Sequence, residues 1–265
     1  MRKAPALELR NVSYALDGRA ILDSIDWSVR PGEHWAILGP NGSGKTTLLR
    51  IACGFLWPNA GGEVRRNGET LVNLPELRKS IGWVTASLAA EIPRREPALQ
   101  TVVSGKYAQM GLFSWPWDKP KRSDFKRAEN YLAQMGAARL KKQEFGTLSQ
   151  GEQQKVMIAR ARMTRPYLVL LDEPCAGMDP GARENFLASL EKLGKHKKVP
   201  ALVYVTHHIE EILPMFKKIL ILKNGRVLAA GKTEALLRRE TLKKLYGVDF
   251  DIEKKKQRYW PIPSE

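Results

Sequence analysis

The sequence predicts an α/β protein with a parallel-sheet core, an N-terminal antiparallel β-subdomain and an inserted α-helical subdomain. Three observations carry that expectation. Residues 37–49, ILGPNGSGKTTLL, read as an apolar strand ending in a glycine-rich loop that opens into a helix. Two strongly apolar runs, 167–171 and 201–206, flank a helical stretch at 180–193, and that order implies parallel strands joined by a right-handed crossover. Ahead of the loop, strand-like runs separated by turn residues imply a small antiparallel sheet beside the main one.

Taken in order, residues 7–12 (LELRNV) alternate apolar and polar, the period of a half-buried strand. Tyr14 follows, then a turn at Asp17-Gly18 and a second run over 21–29, broken by Pro31-Gly32 before the loop strand starts after Glu33. Residues 61–68 (GGEVRRNG) suit a hairpin arm with Asn67-Gly68 as its turn, and 81–85 (IGWVT) a compact buried strand. From about 87 to 165 the character is mostly helical, with helices expected at 131–140 and 151–163. The second has apolar Val156, Ile158, Ala159 and Met163, and is preceded by Ser149 and Glu152 in the S-x-x-E spacing of a capping box. The charged run 195–198 reads as a solvated loop, and 219–222 with 226–230 flank Asn224-Gly225 as a hairpin. From about 232 to 265 the tail is basic, ending KKKQRYWPIPSE, which prolines break.

Composition bounds the class. A chain of 265 residues, 43% hydrophobic and 27% charged, suits one large domain, or one domain with a lobed insertion, able to bury a sizeable core. The formal charge of +16 calls for an acidic partner; nucleic acid, anionic lipid headgroups or nucleotide would each satisfy it. Cys53 and Cys175 show no metal-ligand spacing and read as reduced residues of a cytosolic protein. The opening MRKAPALELR lacks the apolar core of a signal peptide, and no stretch reaches the roughly 20 apolar residues of a membrane helix. Work at a membrane would therefore go through a partner.

The chemistry concentrates in two places. Gly39, Gly44, Lys45 and Thr46 fit G-x-x-x-x-G-K-[ST], with Pro40, Asn41, Gly42 and Ser43 between and Thr47 after. Glycines let the backbone approach a phosphate and turn its N–H groups inward, and the helix opening at Gly44 adds its positive end. Lys45 would reach the β- and γ-phosphates, and the Thr46 hydroxyl would take a Mg²⁺ position. The second place is YLVLLDE, 167–173, where a buried strand delivers Asp172 to its C-terminal end, suited to Mg²⁺, with Glu173 next to orient or deprotonate a water.

Along nearly its whole length the chain resembles the nucleotide-binding subunits of ATP-binding cassette (ABC) ATPases, phosphate-loop NTPases with a RecA-like core. The decisive stretch is 148–154, LSQGEQQ, which is similar to that family's signature motif. The resemblance implies that two cassettes, a homodimer or a pair, bind and hydrolyse ATP with Mg²⁺ head to tail. Ser149 and Gly151 of one would face the γ-phosphate held by Lys45 of the other. It makes Tyr14 the aromatic that stacks on adenine, Asp179 in AGMD (176–179) a dimer contact, and His207 the switch histidine that senses γ-phosphate. His208 reads as structural or solvated, and His34 and His196 as surface or strand histidines.

Two departures stand out. Where the family carries a glutamine after the 81–85 strand, touching Mg²⁺ and the membrane partner, this chain has Ala86 and Ser87. Gln150 and Glu152 replace the commonest glycine and glutamine of the signature. Residues 113–127 (FSWPWDKPKRSDFKR) interleave aromatic and basic side chains, which suits nucleic acid, a docking loop, or a broken loop followed by a solvated helix face. The expected function is the ATPase subunit of an ABC transporter, resembling metal-complex and oxyanion importers. It would be cytoplasmic, peripheral at the inner face of the cell membrane, with transmembrane permease subunits as partners. The alternative is a stand-alone ABC ATPase acting on nucleic acid or protein.

Overall fold

The computed structural model describes residues 4–114, 119–196 and 199–264, and the chain divides into two units, Met1–Arg78 with Ala201–Glu265 and Lys79–Pro200. The first opens with β1 (Leu7–Leu16) and β2 (Arg19–Val29), an antiparallel pair turned at Asp17-Gly18, both at positive φ (49° and 75°), as a tight two-residue hairpin turn requires. β1 runs four residues past the alternating stretch. The register shifts between Leu9 and Tyr14, with Asn11 and Ser24 at φ 51° and 53°, so bulges re-aim the side chains and hide the period of two. β3 (Trp35–Leu38) is buried throughout and leads through the loop into α1 (Lys45–Ala52). β4 (Glu63–Arg66) pairs with the other edge of β1, giving the order β2-β1-β4, and Asn67-Gly68 closes a single bridge from Arg66 to Glu69. α2 (Leu74–Ser80) ends this segment.

In the second unit β5 (Ile81–Val84) and β6 (Leu168–Asp172) pair in parallel. Around them lie α3 (Ala86–Ala90), α4 (Ala98–Ser104), α5 (Arg122–Gln134), α6 (Gln150–Ala161) and α7 (Pro180–Gly194). The ends of α6 and α7 lie within two residues of the expected 151–163 and 180–193. The helix expected at 131–140 differs: α5 begins at Arg122, ends at Gln134, and 138–142 is a separate 3-10 turn. Gly136, at φ 66°, stops the helix, while its start is set by Asp124, whose carboxylate accepts the Lys121 N–H at 3.0 Å. Polar residues dominate α5, so its narrow buried face (Asp124, Ala128, Leu132) leaves a weak apolar period. Its arginines and lysines lie on the more exposed face; residues 115–118 of the aromatic and basic stretch lie outside the described residues, as do 197 and 198 of the charged run.

The chain then returns to the first unit with β7 (Ala201–Thr206), β8 (Lys218–Lys223) and β9 (Arg226–Lys232). β3 lies between β7 and β8, parallel to both, and β9 turns back antiparallel about Asn224-Gly225. β3 and β7 are buried along their whole length, which is why both read as continuous apolar runs. The basic, proline-broken tail forms regular elements. α8 (Thr233–Leu236) and α9 (Arg239–Tyr246) precede a hairpin of β10 (Phe250–Lys255) and β11 (Arg258–Pro263), turned at Lys256-Gln257. Prolines are tolerated in β11 because a two-stranded ribbon leaves each strand one unpaired edge. Cys53 and Cys175 are both buried. Among the described residues no helix is long and apolar enough to cross a membrane.

Candidate functional site

In the first unit the site grows from the C-terminal end of β3. Leu38 is in register with Thr206 of β7, so the loop after Leu38 and His207 after Thr206 leave the same end of adjacent parallel strands. The loop has little freedom. A Cβ on Gly39 would lie 2.5 Å from both the Leu222 carbonyl oxygen and Ser43 Oγ, so only glycine fits. Gly42 and Gly44 take φ 77° and 96°, conformations that cost other residues strain. Lys45 is buried and lies across the loop, its Nζ donating to the Gly39 and Pro40 carbonyls at 2.9 and 3.0 Å. No side chain caps the first turn of α1, so its N–H groups face outward beside Thr46 and Thr47. The Ser43 hydroxyl is buried with no hydrogen-bond partner among the described residues. Orphan donors, a lysine and a helix N-terminus together make an anion cradle, and that donor set fits the phosphates of a nucleotide.

Neighbours within the unit stiffen the cradle. Gly225, in the β8–β9 turn, donates its N–H to the Ser43 carbonyl at 3.2 Å. Leu22 packs under Gly44 and is the register partner of half-buried Tyr14, which places the Tyr14 strand beside the loop. On the other side, buried Glu211 accepts from the hydroxyls of Tyr204 (2.9 Å) and Thr206 (2.7 Å), and the Thr206 oxygen accepts the His208 N–H at 2.9 Å. The His207 and His208 rings sit 4.1 Å apart. His34 is structural: its Nδ1 accepts the Leu202 N–H at 3.1 Å, and burial pushes its pKa down.

In the second unit Val84 is in register with Leu171, so Thr85 and Asp172 leave one end of the β5–β6 pair together. The Thr85 hydroxyl caps α3 by accepting the Leu88 N–H at 3.1 Å and lies 2.7 Å from Ser87 Oγ. Ala86 thus begins a short helix beside Asp172, and offers no polar atom there. Glu173 follows at φ 47°, a left-handed conformation that costs a non-glycine residue on the order of 1 kcal/mol or more and recurs at functional sites. Ser149 caps α6 in the expected box: its oxygen accepts the Glu152 N–H at 3.4 Å, and Glu152 accepts the Ser149 N–H at 3.1 Å. Asp179 caps α7 in the same way through the Ala182 N–H at 2.9 Å. The Gln150 side chain lies against Gly177 of the 173–178 turn, at φ 74°, so its added bulk covers its own chain. Gly151 is buried at the start of α6. Ser149, Gly151, Asp172, Glu173 and Asp179 therefore share this unit, and Tyr14, the loop and His207 share the first.

Sequence reasoning missed Glu211, and with it Tyr246 and Arg258, whose side chains reach the 207–210 segment across 39 and 48 residues of chain. No motif or period marks them. Among the described residues no group of three or more His, Cys, Asp or Glu gathers to hold a metal alone. Mg²⁺ does not need one, since it is typically held by one or two protein ligands together with substrate phosphates and water.

A sequence profile described as "ABC transporter" matches residues 22–176, from within β2 to just past Glu173. The chain is 38% identical to the ABC transporter ATP-binding protein YlmA of Bacillus subtilis, over 93% of this chain and 92% of that protein. Among solved structures it is similar to cbiO1 from Clostridium perfringens, part of the ABC transporter complex cbiONQ (TM-score 0.77, 26% identity, 91% and 93% of the two chains). It is also similar to the ATP-binding cassette MJ0796, seen as a post-hydrolysis dimer with ADP and Pi (TM-score 0.69, 27% identity, 85% and 98%). The chain belongs to the ABC transporter family, as one of its ATP-binding, ATP-hydrolysing subunits.

Proposed function

We propose that two copies of this chain pair head to tail and hydrolyse ATP to drive a transmembrane permease, from the cytoplasmic face of the cell membrane. The observation that carries the chemistry is the loop itself: Lys45 poised on the Gly39 and Pro40 carbonyls beneath an uncapped helix start. An incoming triphosphate offers Lys45 charged acceptors in place of those carbonyls, and charge-assisted bonds are about twice as strong as neutral ones. Residues 39–47 would wrap the phosphates, and Tyr14 would stack on the base. Thr46 and Asp172 are the residues that would hold Mg²⁺, which when bound neutralises charge on the β- and γ-phosphates. His207 would contact the γ-phosphate. Ser149 and Gly151, at the capped start of α6, would meet the nucleotide of the partner copy, with Asp179 at the dimer contact. Glu173 would take a proton from the attacking water. The whole chain serves as one ATP-binding domain, its helical part at about 87–165.

The test is Glu173→Gln. ATP binding should persist while kcat falls by about a hundredfold or more, because only transition-state help is removed. The variant should accumulate as an ATP-bound dimer on size-exclusion chromatography with light scattering. Near-wild-type turnover would move the base elsewhere.

A further inference from the structure

His207 leaves β7 and enters a bend ahead of the 3-10 turn 209–211, so contacts other than a strand ladder bear on its direction. Part of the answer is local, in the Glu211–Thr206–His208 network described above. The rest comes from the tail. Tyr246, at the end of α9, donates its hydroxyl to the His207 carbonyl at 3.0 Å. Arg258, at the start of β11, donates Nε to the Glu210 carbonyl at 2.8 Å, and a second nitrogen of the same guanidinium reaches that oxygen.

We propose that Tyr246 and Arg258 are positioning residues for His207, and that the C-terminal helix and hairpin act as a strap holding the switch segment in its working geometry. Each element of the strap is itself pinned. Gly247, at φ 77°, ends α9 in a left-handed cap, and the Tyr246 ring meets Phe250 edge-on at 6.0 Å. Arg258 lies over the Trp260 ring at 5.2 Å. Burial and the nearby Glu210 carboxylate push the Tyr246 phenol well above its usual range, so it remains a donor at every working pH. A displacement of α9 would be felt at the His207 carbonyl, and one of the hairpin at the Glu210 carbonyl, without any contact to nucleotide. The proposal rests on His207 contacting the γ-phosphate.

The experiment compares Tyr246→Phe, Arg258→Gln, Arg258→Lys and His207→Ala in the full chain, reading kcat, KM for ATP, melting temperature and hydrogen exchange. Tyr246→Phe and Arg258→Gln should each lower kcat about fivefold with KM within about twofold, the loss of one hydrogen bond felt in turnover alone. Exchange should rise in residues 206–212 and not elsewhere, and Arg258→Lys should recover part of the rate. If both variants keep wild-type kcat and wild-type exchange at 206–212 while His207→Ala is inactive, the strap is wrong and the role of His207 stands. If His207→Ala itself turns over normally, the role of His207 falls and takes the strap's catalytic meaning with it. Losses in kcat accompanied by raised KM and faster exchange across the whole chain would mark general unfolding, and would also overturn the proposal.

Discussion

Removing the Arg66 guanidinium should destabilise the protein through the helix that carries the phosphate loop. α1 has 8 residues, too few to persist without tertiary support. Its C-terminal carbonyls are met by Arg66 of β4, which donates Nε to Ala52 at 3.0 Å and a terminal nitrogen to Ile51 at 2.5 Å. The residue is 2% exposed, so water does not replace those bonds, and its cation also complements the negative end of the helix. Charge-assisted bonds contribute about 1.5–3 kcal/mol each. Because the two share one group they do not add fully, and about 3 kcal/mol is expected for Arg66→Met, which keeps most of the side-chain stem. At about 2–4 °C per kcal/mol for a chain near this size, the melting temperature should fall by about 6–12 °C. The stacking of the guanidinium on Trp57, 5.3 Å from the ring centroid and half solvent-exposed, is worth about 0.5–1 kcal/mol. Trp57→Ala should therefore cost much less than Arg66→Met. Thermal melts followed by circular dichroism, with and without ATP, measure both. An Arg66→Met variant melting within about 2 °C of wild type would refute the assignment of α1's stability to this contact.

Two further outcomes follow from other contacts. Burial works against ionisation of the Asp124 carboxyl, but bonds from Lys106 (2.8 Å), the Lys121 N–H (3.0 Å) and Tyr107 (3.0 Å) outweigh it and hold its pKa below the usual value. Its stabilisation is thus complete above the ordinary Asp pKa of about 3.9 and is lost as pH falls through the folded value, so the melting difference between wild type and Asp124→Asn should be largest at neutral pH and shrink on acidification; a difference that grows toward low pH would reverse the sign. Ser149→Arg loses a helix cap worth about 1 kcal/mol, but in the head-to-tail arrangement it should leave ATP binding to the monomer intact while abolishing ATP-driven dimerisation by light scattering; weaker binding in the monomer alone would argue against that arrangement.

The sequence by itself determined the parts whose chemistry is local. A glycine loop between an apolar strand and a helix needs no distant partner to be read, because φ preference and backbone access are properties of the residues themselves. The same holds for the Ser149–Glu152 box, the Asn224-Gly225 hairpin, and β3 and β7, whose burial on both faces makes them continuous apolar runs. Tertiary structure decided whatever depends on residues far apart in the chain. The register of β3 with β7 sets the loop beside His207, and that of β5 with β6 sets Ala86 beside Asp172. Bulges at Asn11 and Ser24 carried β1 beyond its alternation, and a single buried face made α5 from a stretch rich in charge. The tail is the sharpest case. It reads only as a basic stretch broken by prolines, yet an outer edge of a two-stranded ribbon accommodates proline, and its Arg258 finds a carbonyl 48 residues away. Such contacts leave no local signature, because the hydrogen bond that rewards them exists only after the chain has folded back on itself.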